Sequence, residues 1–230
     1  MSATTPNQLI LGIRLDDAAR FENYLISSAN QQAATSLSSL DEADPYTYIW
    51  GTGLTHLLQA VCHQYTMADR SAIYLPLAEK SQLSPEILIG TNTLSLVCID
   101  DVDQLDGDEK WEAALFTAFN AMAESDTRLI VAAKSAPQSL SVNLADLHSR
   151  LQSGLVFQLL ELSDTEKLAA LQLRARHRGM DLSDSVAEFI LLRAERNLTA
   201  LMEILDKLDA SSLQEQRSLT IPLVKSTLGW

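Results

Sequence analysis

The chain has 230 residues, enough for one large domain or for one medium and one small domain, each with its own core. A net charge of −13 and a pI near 4.6 argue against broad nucleic-acid binding, which needs a positive surface to displace counterions, and favour a protein partner. No stretch approaches the roughly 18 unbroken apolar residues of a membrane span. The start, MSATTPNQ, lacks the basic and apolar regions of a secretory signal, so the expected compartment is the cytoplasm.

Residues 1–20 read as a flexible N-terminal segment interrupted by the apolar Gln8 to Ile13 (QLILGI). A short helix and a surface loop are expected between Ala29 and Asp44. From Tyr46 the pattern alternates. Strands are predicted at 46–50, 72–75, 94–99, 128–133 and 156–160, and helices at 55–65, after Ser84-Pro85, at 111–123 and near 144–151. Strands alternating with helices indicate a parallel sheet covered on both faces, over residues 21–161. At Ser163 the character changes. Ser163-Asp164-Thr165-Glu166 has the form of a capping box ahead of a helix that Gly179 would end. Further helices are predicted from Ser183 or Asp184, over about 197–210, and beside Pro222, so residues 162–230 read as a small helical domain. Cys62 and Cys98 fall inside apolar helix and strand patterns, with no His or Cys at ligand spacing, and read as buried free thiols.

Two motifs carry chemistry. Trp50 to Val61, WGTGLTHLLQAV, joins a strand to a helix as a phosphate loop does, with Gly51, Thr52, Gly53 and Leu54 followed directly by Thr55. Glycines let backbone N–H groups close on phosphates, and Thr55 is placed to touch magnesium, but no Lys or Arg precedes it. His56 is a poor substitute for that cation, being mostly neutral at pH 7. An ordinary strand-turn-helix connection is the other reading of this fragment. Leu94 to Asp101, LSLVCIDD, is an apolar strand running into two acids, at the end of a parallel strand where ligand crevices form. In a nucleotide-hydrolysing site Asp100 would hold the Mg²⁺ shell and Asp101 would orient the attacking water. Helix caps and solvated loop ends also use such acids.

The series GTGL-THLLQAV, SLVCIDDVDQL, WEAALFTAFN, TRLIVAAKSAP, LHSRL, SDTEKLAALQLRARHRG and QRSLTIPLVKSTL resembles the AAA+ region of the bacterial replication initiator DnaA, and more closely the Hda-type regulators that inactivate DnaA. The likeness runs from Phe21 onward. It implies an α/β AAA+ base of the P-loop type followed by an all-α lid, and no helix-turn-helix DNA-binding domain is expected. Against the family loop G-G-T-G-L-G-K-T-H-L-L, this chain keeps Gly51-Thr52-Gly53-Leu54 and Thr55-His56-Leu57-Leu58, has Trp50 for the first Gly, and lacks the Gly-Lys pair. ADP or ATP with Mg²⁺ is the cofactor the family implies, bound through Gly51, Gly53, Thr55, Asp100 and Arg196. A loop two residues shorter opposes this, because much of the affinity for a diphosphate comes from loop amides and the Lys.

Asp100 and Asp101 match the family's pair of acids. Arg150, in LHSRL, matches the arginine finger presented to a neighbouring subunit's nucleotide, where such a charge is worth about 10³ to 10⁵ in rate. Arg196 falls at the lid's sensor arginine, and pairing with a surface acid is its alternative. Lys134 stands where the family has a polar or acidic sensor, and a surface role is the favoured reading. Phe21-Glu22-Asn23-Tyr24 matches a segment that packs near the adenine pocket, although a core role explains its aromatics equally well. Gln8, Leu9 and Leu11 resemble the short motif that docks on the sliding clamp, the β subunit of DNA polymerase III, with Gly12 where the family has Pro.

The resemblance implies a clamp-tethered negative regulator of replication initiation whose Arg150 completes the active site of ATP-bound DnaA, with no turnover of its own required. The rival readings are an autonomous AAA+ ATPase that remodels or loads a replication partner, supported by Asp100 and Asp101 and opposed by the missing Lys, and a decayed scaffold paralogue.

Overall fold

Each of the five strands is a short run of β-branched, aromatic or apolar residues, and the inner ones are too hydrophobic on both sides to leave either face wet. The computed structural model describes residues 15–41, 43–215 and 219–230, with side chains of 212–215 outside the description. The predicted clamp-binding residues Gln8, Leu9 and Leu11 therefore lie outside the described residues. The elements follow in chain order: α1 (Gln31–Ser38), β1 (Tyr46–Gly51), α2 (Leu54–Met67), β2 (Ala72–Pro76), β3 (Leu96–Asp100), α3 (Glu109–Ala123), β4 (Arg128–Ala133), α4 (Ala145–Leu151), β5 (Leu155–Leu159), α5 (Asp164–His177), α6 (Asp184–Arg193), α7 (Leu198–Glu215) and α8 (Ile221–Leu228).

All strand pairs are parallel, in the order β2-β3-β4-β1-β5. Strand alternation splits the core in two. Leu129 and Val131 of β4, with Val97 and Ile99 of β3, pack under α3 and α4. Ile130 and Ala132, with Leu96 and Cys98, pack under α1 and α2. Burying each such large apolar side chain contributes roughly 1.5–3 kcal/mol. Every residue of β3 and β4 is buried, whereas the edge strand β5 leaves Leu155 and Val156 exposed.

Element ends differ from expectation where caps act. α3 starts two residues before Trp111 because the Asp108 carboxylate accepts from the Lys110 and Trp111 N–H groups. β3 starts at Leu96 rather than Leu94 because a 3-10 turn over Thr91–Thr93 precedes it. The capping box is formed: Ser163 Oγ accepts from Glu166 N, and the Glu166 carboxylate accepts from Ser163 N at 2.8 Å. In the lid, α5 to α8 close on a core of Leu171, Ala175, Ile190, Leu201, Leu205 and Val224.

Candidate functional site

The connection that carries the phosphate-loop residues is a turn of two residues between strand and α-helix. Gly51 is still paired with Leu159 of β5, and α2 begins at Leu54, so Thr52 and Gly53 alone span the turn. Thr52 N–H donates to the Leu159 carbonyl at 3.3 Å, a use of the loop amide that turns it toward the sheet. Gly51 (φ +121°) and Gly53 (φ +72°) hold conformations that favour glycine, and a Cβ on Gly51 would drive into the Leu159 carbonyl. Tyr24 covers the turn: a Cβ on Gly53 would lie 3.2 Å from its hydroxyl, and its ring lies 5.2 Å from that of His56. His56 Nε2 is 2.9 Å from the Arg20 carbonyl, and burial, then the nearby Arg174 charge, pushes its pKa down to about 4. His56 is therefore neutral at pH 7 and supplies no charge to a phosphate.

Asp100 is 2% exposed, and protein donors meet both of its carboxylate oxygens. Oδ2 accepts from Thr55 Oγ1 at 2.7 Å and from the Tyr74 hydroxyl at 2.8 Å, while Oδ1 accepts from Asp101 N at 2.9 Å. Thr55 and Asp100, predicted as magnesium contacts, are thus brought together and bonded to each other. Asp101 has φ +53°, and burial, then Asp100, raises its carboxyl pKa, with Lys134 opposing. Lys134 itself is exposed. Its backbone N–H donates to Asp103 Oδ1 at 3.1 Å.

Between base and lid runs a crevice lined by Tyr24, Asn30, Thr52, Gly53, Leu198 and Met202 among others, with a cavity of about 50 Å³. That volume holds a few waters, whereas pockets for drug-sized ligands run to about 300–1,000 Å³. The cation that lines it is Arg174 of α5, only 9% exposed. Its Nη1 donates to the Ala18 carbonyl at 2.9 Å and to Asn23 Oδ1 at 3.0 Å. Arg196 is instead 63% exposed along its side chain and paired with Asp164 at 3.2 Å, the surface pairing that its sequence left open. Sequence reading missed Arg174 because it sits in the basic run RARHRG, which reads as ordinary C-terminal helix charge.

The residues present do not supply the usual contacts of a magnesium nucleotide. The loop lacks the Gly-Lys pair, one of its amides is bonded to β5, and Asp100 is satisfied by Thr55, Tyr74 and its own neighbour. Among the described residues no group of three His, Cys, Asp or Glu could hold a metal ion.

Arg150 lies at the other end of the sheet. Tyr46, the first residue of β1, donates its hydroxyl to the Leu151 carbonyl at 2.9 Å, whereas the phosphate-loop turn follows the last residue of β1, about 17 Å away by strand rise. Arg150 is exposed, and its guanidinium carbon stands 5.9 Å from the Phe119 ring centroid. At that end of the sheet it cannot reach this chain's own crevice.

The sequence profile of the Hda lid domain matches residues 164–228, and that of the bacterial DnaA ATPase domain matches residues 89–158. The chain is an Hda/DnaA-type AAA+ protein. This Hda/DnaA-type chain is 42% identical over 227 residues to an uncharacterized protein of Haemophilus influenzae, covering 96% of this chain and 98% of that one. It also superposes on domain III of the Thermotoga maritima replication initiation protein DnaA with a TM-score of 0.77 at 22% identity, over 94% of this chain and 98% of that one. With the AMPPCP-bound DnaA of Aquifex aeolicus the TM-score is 0.69 at 20% identity, over 87% of this chain and 68% of that one. At these identities the two structures establish the AAA+ fold. No helix among the described residues is long and apolar enough to cross a membrane.

Proposed function

We propose that this protein is a cytoplasmic negative regulator of replication initiation that works on DnaA. In this reading Gln8, Leu9 and Leu11 tether it to the sliding clamp, and Arg150 enters the nucleotide site of ATP-bound DnaA, where it neutralises charge on the transferring γ-phosphoryl group. The catalytic nucleotide belongs to DnaA, and Asp101 of this chain has no turnover to perform. The observation that carries the reading is the placement of Arg150, exposed on α4 at the end of the sheet away from this chain's own crevice between base and lid.

A single assay tests it: hydrolysis of DnaA-bound ATP with clamp loaded on DNA, with and without this protein. Stimulation that disappears with Arg150→Ala and weakens with Gln8→Ala is expected. Equal hydrolysis with and without the protein would leave it a scaffold, and phosphate release by the protein alone, abolished by Asp101→Asn, would make it an ATPase.

A further inference from the structure

α4 begins without a cap of its own, and α3 supplies one. The helix is seven residues long, and its N-cap residue Leu144 offers no side-chain acceptor. Glu112 of α3, 1% exposed, accepts instead from Leu144 N at 2.7 Å and from Asn143 N at 3.0 and 3.1 Å through both carboxylate oxygens. No ion pair involves Glu112 among the described residues, so its buried charge faces the amides that open α4. Two helical turns further along α3, Phe119 stands under the Arg150 guanidinium and packs edge-on against Tyr46, with centroids 4.7 Å apart. Tyr46 in turn bonds the Leu151 carbonyl at the other end of α4. Both ends of the helix are therefore bonded from outside, and its arginine lies over a ring of α3.

We infer that Glu112 and Phe119 are positioning residues for Arg150. The inference rests on the reading of Arg150 as a finger for DnaA's nucleotide. The mount matters because a long arginine side chain on a short exposed helix loses its orientation readily, and a displacement of about 1 Å at a catalytic charge costs roughly a hundredfold.

The test measures the saturating stimulated hydrolysis rate and the half-saturating concentration separately, on variants whose thermal unfolding is recorded alongside. Glu112→Gln turns an amide NH₂ toward backbone donors, and Phe119→Leu removes the ring. Each is expected to lower the saturating rate about ten- to a hundredfold at unchanged half-saturation. Neither should worsen Arg150→Ala when combined with it, since residues acting as one unit are not additive. If Arg150→Ala abolishes stimulation while both positioning variants keep the full saturating rate, or shift only half-saturation, the mount is wrong and the finger stands. If Arg150→Ala changes nothing, the functional reading fails and the mount with it.

A second inference comes from the crevice and does not depend on Arg150. Arg174 belongs to the lid, its partners Ala18 and Asn23 belong to the segment that opens the base, and Asn23 is itself fixed by Nδ2 donating to the Ala18 carbonyl at 2.6 Å and by Oδ1 accepting from Arg20 N at 3.2 Å. The geometry points to Arg174 as an internal latch that joins lid to base across the crevice. Lid position is then independent of nucleotide.

Spin labels at Ala113→Cys on α3 and Leu192→Cys on α6, both exposed, read the distance from base to lid in the full chain, since the native Cys62 and Cys98 are buried. One narrow distance distribution is expected, unchanged by millimolar ADP with Mg²⁺ and broadened by Arg174→Ala. Asn23→Ala should broaden it too, and the double variant no further. A distribution that ADP narrows or shifts, or one that both single variants leave as it was, would overturn the latch.

Discussion

At Asp100 a buried carboxylate is kept satisfied by three donors from three elements, and removing one leaves part of a charge unmet. Tyr74→Phe deletes the 2.8 Å donor without a steric change. It should cost about 1–3 kcal/mol in urea unfolding. Tyr74 was not legible as a partner: an aromatic in a strand reads as core, and only the fold places its hydroxyl against an acid 26 residues away. His56 gives a pH signature. Its folded pKa of about 4 lies below the ordinary 6.5, so between these values the unfolded chain binds more protons. Its contribution to stability is complete above about pH 6.5 and is lost as pH falls toward 4. The thermal midpoint should therefore drop less between pH 7.5 and pH 5 in His56→Asn than in the parent, relative to each protein's value at pH 7.5.

At the scale of elements, local signals and distant contacts divide the work. The Ser163–Glu166 capping box was readable because Ser163 and Glu166, three residues apart, bond each other directly. Ser163→Ala should destabilise the lid by about 1 kcal/mol, seen in denaturant unfolding followed by helical circular dichroism. The ends of α1 and α4 were not readable in that way. The buried Arg128 of β4 bonds the carbonyls of Ser36, Leu37 and Ser39 at the end of α1, and Glu112 closes the start of α4 from 31 and 32 residues away. Nothing in the sequence near either helix announces its cap.

For the whole molecule, the two ends of one AAA+ sheet differ in what they keep of the design. The crevice between base and lid is lined by Tyr24, Arg174 and a two-residue turn, while the far end of the sheet displays an arginine over the Phe119 ring of α3. Net charge belongs to this scale as well. At −13 the surface repels phosphate backbones, and the purified protein should show no retention on duplex DNA at about 150 mM salt in a gel-shift titration. Retention that fell steeply with added salt would contradict this.

The amino-acid sequence alone determined the alternation of strands and helices, the parallel sheet, the lid, the acids ending β3 and the loss of Gly-Lys, because periodicity, caps and missing residues are written within a few positions of one another. Only the tertiary structure decided that Arg174 rather than Arg196 lines the crevice, that the Thr52 amide turns to Leu159, and that Glu112 holds the helix of Arg150. Those outcomes depend on which side chains meet after the chain has crossed the sheet several times. A charge in a helix looks the same in sequence whether it faces water, as Arg196 does, or is buried, as Arg174 is.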